Sequence, residues 1–360
     1  YYATGSHNVF IGYESGKGSI SGTPYGSGEH NIGMGYRALY SFTTGDDNIA
    51  MGSYAGDAIT TGTYNIAIGQ YALSSANTGG SNIGIGRNAG GNLTTAGGNV
   101  FIGYGVGYGN QTGIENVIVG YESYSQTTGT VNFRNVTALG SNAGRYATGS
   151  YNTFLGSYAG HGNSSQPYSS GQNNTIVGHQ ALMDFTSGNQ NSALGDNALH
   201  QVTTGKGNIG IGYYAGHRNT TGDYNISIGT EGYGSSGTRN ITMGYRAMMT
   251  EHSLPYNIAI GHTALHYPGA GGSGYNIAIG DMSMFGGAGA ASYNTAMGQR
   301  SLYSITAGSY NVALGHQSLY SVKDNGYNTA VGYLSGKFAT GSYNTFVGAE
   351  AGEGGQTSAP

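Results

Sequence analysis

The chain has no cysteine, so disulfides and cysteine–zinc sites are excluded. Charged residues make up only 8% of its 360 positions, and the formal net charge is −4. There is no Lys/Arg run and no basic patch, which argues against nucleic acid as a partner. No apolar run approaches the length of a membrane span, and no signal peptide is visible. No stretch carries helical periodicity. Proline is scarce, at five residues. Glycine is the opposite case: 70 residues, about three times its usual share. No Gly-X-Y period accompanies it, so a collagen triple helix is excluded.

What fills the chain instead is one motif, repeated twenty times. It reads Asn, then an alternating apolar triplet, then Gly, then a small residue three positions on. Asn65-Ile66-Ala67-Ile68-Gly69 with Ala72 is a plain copy, as is Asn152-Thr153-Phe154-Leu155-Gly156 with Ala159. The anchor glycines run from Gly12 to Gly348, and eleven of their nineteen intervals are seventeen residues. Asn stands four residues before the glycine in nineteen copies; Val136 takes its place in the copy ending at Gly140. A repeat of this size means stacked units, none able to bury its apolar face alone. The expectation is one array over residues 1–360, an elongated solenoid or fibre rather than a compact enzyme. Twenty coils at about 4.8 Å each would span roughly 95 Å.

The alternation of β-branched and aliphatic residues is a strand signal. It places Ile66 and Ile68 on one face and Ala67 on the other. We expect the isoleucines to point inward and Ala67 outward or into an interchain groove. The glycine then makes a turn, a short second strand follows, and Thr-Gly turns such as Thr60-Thr61-Gly62 and Thr127-Thr128-Gly129 lead into the next coil. Excess length concentrates at residues 17–28 and 161–171. Pro24, Pro167, Pro255 and Pro268 fall between core motifs, and Pro360 ends the chain. Proline cannot donate to a central ladder, so those segments read as corner loops and candidate contact sites. After the small residue comes Gly in nine copies and Leu in seven. That promises a thin core, of the kind commonly supplemented by oligomerisation. The chain begins and ends close to repeat units, which suggests a segment of something longer or a subunit that joins end to end.

The pattern Asn-x-x-Ile-Gly-x-x-Ala, with Gly-Ser-Tyr-Asn between copies, resembles two groups. One is the head repeats of trimeric autotransporter adhesins. The other is the repeat tracts of phage tail-fibre-like proteins, which Tyr310-Asn311-Val312-Ala313-Leu314-Gly315-His316-Gln317-Ser318-Leu319-Tyr320 matches closely. The resemblance covers nearly the whole chain. It implies a parallel, left-handed β-roll assembled as a homotrimer, on the outside of a cell or on a virion surface. The repeat is longer than in the adhesin heads, and no stalk, anchor or C-terminal chaperone domain is seen.

The side chains suited to chemistry are few. Stacked identical amides bond along a solenoid, so the Asn column reads as a structural ladder rather than a ligand site. Tyrosine precedes that Asn in nine copies, unbroken over Tyr256, Tyr275, Tyr293, Tyr310, Tyr327 and Tyr343. Aromatic rings with a polar tip suit protein interfaces and sugars, and they also pack on one another. With Tyr25 and Tyr168 in the long loops, these are the candidate surface or interchain contacts. His179, His262 and His316 share a position in non-adjacent coils, which does not make a metal site. The other seven histidines lack partner spacing. No calcium nonapeptide, nucleophile elbow or recurring carboxylate pair is present. No metal, cofactor or catalytic residue is assigned. The expected partners are further copies of the chain and a host-cell surface glycan or protein. The expected role is a non-enzymatic tail-fibre-like shaft or receptor-binding adhesin. A bacterial trimeric adhesin head or a self-assembling extracellular filament are the alternatives.

Overall fold

The computed structural model describes residues 3–18, 26–125, 131–165, 168–232, 236–249, 255–266, 274–286 and 290–354. The chain is an all-β parallel β-solenoid with one three-residue strand per coil and no helix among the described residues. Two compact units are distinguished. The first holds residues 1–180 and 184–187, the second 181–183 and 188–360. The first contains strands β1 (Val9–Ile11) to β10 (Thr175–Val177), the second β11 (Ser192–Leu194) to β20 (Thr345–Val347). Within each unit, sequence-adjacent strands pair in parallel with matched motif positions, as in Ile66↔Ile83, Ala67↔Gly84 and Ile68↔Ile85.

The face assignment is the reverse of the expectation. Ala67 is fully buried, whereas Ile66 and Ile68 are only partly buried and reach solvent. The same holds along the array: the flanking residues reach solvent, and the middle residue is buried in every strand but β1 and β20. The reason is the narrowness of the coil. Its interior at strand level admits one side chain, and a phenylalanine there is always matched by a glycine elsewhere in the coil. Where the strand centre is Phe10, Phe101, Phe154 or Phe346, the residue six positions on is Gly16, Gly107, Gly160 or Gly352. A Cβ on any of these glycines would lie 2.2–2.8 Å from the ring of its own coil's phenylalanine. Where the centre is Ala67, Ala193, Ala259, Ala296 or Ala313, that place is taken by buried Leu73, Leu199, Leu265, Leu302 or Leu319, whereas Ala50, Ala138 and Ala330 are followed there by Gly56, Gly144 and Gly336. Large and small residues interdigitate, as dense cores require. A further buried column lies seven residues after the anchor glycine: Phe42, Ile59, Leu93, Phe185, Val202, Ile305 and Val322. The core is thereby thicker than the strand residues alone foretold.

Among the described residues no second strand forms. The residues two and four places after the anchor glycine sit at positive φ, for example Tyr71 at 57° and Leu73 at 48°. Regular pleating is impossible there, yet bonding between coils continues: the Tyr71 N–H donates back to Ser53 O at 3.1 Å, and the Leu73 N–H donates forward to Ala89 O at 3.0 Å. The anchor glycine itself is obligatory. Gly52 has φ +134°, and a Cβ there would lie 2.8 Å from the carbonyl of Gly69 in the next coil.

The Asn column is a structural ladder. Asn48 Nδ2 donates to Asn31 Oδ1 at 3.1 Å and to Gly62 O at 2.8 Å, while its backbone N–H reaches the same Asn31 Oδ1 at 2.9 Å. Asn65 then repeats the pattern on Asn48. Each inner amide thus makes four bonds in a fully buried site, which removes the penalty for burying it. At the Val136 gap a buried phenol stands in. Asn152 Nδ2 donates to Tyr124 Oη at 3.3 Å, and that hydroxyl donates to Gly149 O at 3.4 Å. Burial pushes the Tyr124 phenol well above its ordinary pKa, so the group stays protonated and remains a donor.

Of the expected corner loops, residues 19–25 and 166–167 lie outside the described residues, as do Tyr25, Pro24, Pro167, Pro268, Pro360 and the 127–129 turn. Pro255 lies outside the strands, at a corner.

Candidate functional site

Two surfaces stand out. The first is the tyrosine column of the second unit. Each ring follows from a backbone at positive φ, 57–67° from Tyr256 to Tyr343, just before the ladder Asn. That conformation turns the side chain outward at the coil edge, one coil rise from the next. Successive centroids over Tyr256, Tyr275, Tyr293, Tyr310, Tyr327 and Tyr343 are 4.9–5.0 Å apart, and the ring planes lie within 12° of parallel. The column extends backward through a cation. Arg239 occupies the same motif position, with its guanidinium 5.8 Å from the Tyr224 ring and 5.4 Å from Tyr256. It also donates to Tyr256 Oη at 2.6 Å. Tyr343 stacks on Tyr327 by one face, while from Tyr256 to Tyr327 the rings spend their faces on their neighbours and on Arg239. What they offer to solvent is edges and hydroxyls. Tyr343, at 77% exposure, is the most open.

Tyr168, the remaining described contact residue, is half-buried and lies parallel to Tyr146 at 6.1 Å. It belongs to the first unit and not to the tyrosine column. Sequence reading missed a second aromatic column, His266, Phe285, Tyr303 and Tyr320, with centroids 4.9–5.3 Å apart. The signal was there: each residue stands five places after an anchor glycine. It also missed one histidine pairing. His7 and His30 occupy the tyrosine position in the first two coils, and their rings stack at 5.0 Å. Glu29 brings a carboxylate beside them, so that one ligand atom from each of the three lies within 4.8 Å of the others. The 23-residue spacing of this coil hid the relation. Among the described residues it is the one group with metal-ligand composition, and it is fully exposed.

The second surface is the outward side of the strands. The residue just before each anchor glycine is Ile, Leu, Val or Met in all twenty coils, and every one reaches solvent. Ile11 is 55% exposed, Leu139 53%, Leu194 52% and Val347 69%. β-Branched residues two places earlier add to the same face. Taking roughly 100 Å² of apolar area per whole aliphatic side chain and about a third of it exposed over some twenty flanking residues, each unit presents on the order of 500 Å². Monomeric proteins rarely expose contiguous apolar patches beyond a few hundred Å².

No protein-family model, curated protein or solved structure matches this chain. Among the described residues no helix is long and apolar enough to cross a membrane.

Proposed function

We propose that the chain is a non-enzymatic structural and adhesive fibre segment, of the phage tail-fibre shaft or receptor-binding adhesin kind, acting outside a cell or on a virion. We assign it a homo-oligomeric state, a trimer on the resemblance described above. The observation that carries this reading is the outward aliphatic face. A partner for it must match its coil pitch over many coils, and a second copy of the same chain does so by construction. The exposed apolar area of each unit is of the same order as what a stable interface buries on each partner, roughly 800 Å². The face carries no charge that would select a partner of opposite sign.

The test is assembly. Sedimentation of the purified chain should give a multiple of the 36.8 kDa protomer. Replacing Ile68, Ile85 and Ile102 together by Asp should dissociate it, with the far-UV spectrum of the fold retained. A wild-type chain that stays monomeric at tens of micromolar would overturn the proposal. So would a triple variant that assembles unchanged. The alternatives are a bacterial trimeric adhesin head and a self-assembling extracellular filament in which coil ends stack between subunits; open-ended growth that survives the triple variant would favour the filament.

A further inference from the structure

Two residues after nine of the ten anchor glycines of the first unit a side chain projects from a backbone at positive φ of 48–59°, as at Tyr54, Tyr71, Asn88, Glu122 and Asn142. Gly105 holds that place between Asn88 and Glu122. Its φ of +63° matches its neighbours, and a Cβ there would meet only the Glu122 side chain, at 3.6 Å. The backbone therefore does not require glycine, and the missing side chain leaves a gap in an otherwise filled column. That gap is part of a solvent-open notch of about 180 Å³, below the roughly 300–1,000 Å³ of drug-sized ligand sites and so suited to one small ring at most.

The walls of the notch are selective. Tyr104, Tyr108 and Tyr146 supply aromatic surface. Tyr104 is held parallel to Tyr121 at 5.2 Å, and the Tyr146 ring lies under the Arg145 guanidinium at 5.2 Å. Among the described residues no other ring stacks on Tyr108. On the polar side, Arg145 Nη2 pairs with Glu122 Oε2 at 2.7 Å, and Arg145 Nη1 donates to Asn142 Oδ1 at 3.2 Å. The pair is mutually neutralised and fixed in place. It still has a carboxylate oxygen and further guanidinium N–H groups to offer, which suits vicinal hydroxyls. A free acid would be repelled by Glu122, and a free cation by Arg145. An uncharged ring with one apolar face and a rim of hydroxyls satisfies both walls.

We propose that this notch is a subsite for one neutral hexopyranose unit of a glycan. The proposal rests on the adhesive part of the reading above and names its ligand class. It places sugar contact on Tyr108, on which no ring stacks among the described residues, with Tyr104 and Tyr146 already engaged by Tyr121 and Arg145 and lending their edges, and not on the inner tyrosines of the column, whose two faces are taken.

The experiment is saturation-transfer NMR on the full chain with glucose, galactose, mannose and N-acetylglucosamine as probes, and sedimentation of the same samples. At least one sugar should bind at millimolar concentration. Refilling the gap with Gly105→Tyr should weaken it by about tenfold or more, with assembly and the far-UV spectrum unchanged. Tyr108→Ala, which removes a wall without filling the gap, should do the same and serves if Gly105→Tyr misfolds. Binding that survives both variants overturns the proposal, as does failure of all four sugars to bind. In either case an intact oligomer leaves the fibre reading standing, whereas loss of assembly in the wild-type chain would strike that reading instead.

Discussion

The pairing of a large strand centre with a glycine six residues later can be tested by exchanging one type of coil for the other. Phe154 in β9 (Thr153–Leu155) is fully buried, and a Cβ on Gly160 would lie 2.5 Å from its ring. Phe154 also meets Tyr124 at 5.9 Å and Phe185 at 5.8 Å, both fully buried, so the surroundings cannot easily collapse. Phe154→Ala should then destabilise by about 3–5 kcal/mol. Gly160→Leu alone overfills the coil and should cost about 1–3 kcal/mol or more. The double variant recreates the Ala–Leu coil found at Ala313 and Leu319. Leu fits the backbone, since Leu39, Leu73 and Leu302 hold the equivalent place at φ of 48–51°. Its loss should be no more than about 1.5 kcal/mol, far below the sum of the singles. The chain has no tryptophan, so urea denaturation is best followed by far-UV circular dichroism. If the double variant loses the sum of the two single losses within about 0.5 kcal/mol, the two side chains do not share a volume and the packing rule is wrong.

Four further outcomes are expected. Asn311→Ala removes an amide that donates to Asn294 and Asn325 and accepts twice from Asn328, so it should destabilise by several times the roughly 1–3 kcal/mol of one stranded buried group; Asn344→Ala, in the last described coil, should cost clearly less in the same urea titration. Ala67→Asp should lower the melting temperature of the dissociated protomer far more than Ile68→Asp, because only the former buries an unpaired charge inside the coil, the latter acting on assembly; equal protomer melting curves would contradict the face assignment. Replacing Tyr293, Tyr310 and Tyr327 by Ser breaks four ring stacks of about 0.5–1.5 kcal/mol each, and an unchanged thermal midpoint would show that the column is energetically idle. Burial pushes the Asp57 carboxyl from 3.8 up to about 6, and its Oδ1 has no hydrogen-bond partner. Folding therefore favours the protonated form, and stability from this group falls as pH rises from about 4 through 6. Asp57→Asn should stabilise at pH 7 by about 1 kcal/mol, after discounting for partial solvation, and should show no gain at pH 3.5.

The repeat itself was legible because three requirements recur in every coil at fixed offsets. The glycine conformation, the Asn ladder and the apolar alternation each leave a mark in the sequence, so strand positions and parallel stacking could be read directly. Which face points inward could not. Period two says that Ile66 and Ile68 share a side; hydrophobicity then nominates that side as the core. In this fold the coil is too narrow for two isoleucines per strand, and the small residue goes inside. The clue was the covariation of Phe154 with Gly160, which shows up only when positions six apart in one coil are compared. The failure of the second strand to form was hidden for a different reason. Leu39 and Tyr71 are poor formers of left-handed backbone, and only the coil-to-coil bonding of the assembled array holds them there. The Gly105 notch escaped notice because it is an absence, visible only against the filled column around it.

The way coils are joined also has a consequence for how such a chain tolerates change. Val9 pairs with Ile32 across 23 residues, Ile226 with Ile241 across 15, and Ile258 with Ile277 across 19. In each case strand and amide fall back onto the same rails. Length errors therefore do not accumulate from coil to coil, as they would in a helix, where one inserted residue rotates everything beyond it by about 100°. The phase is reset at every turn. A corner can take up an insertion as a local bulge while the next coil reads on in frame. New surface can thus be tried at any corner without renegotiating the rest of the stack.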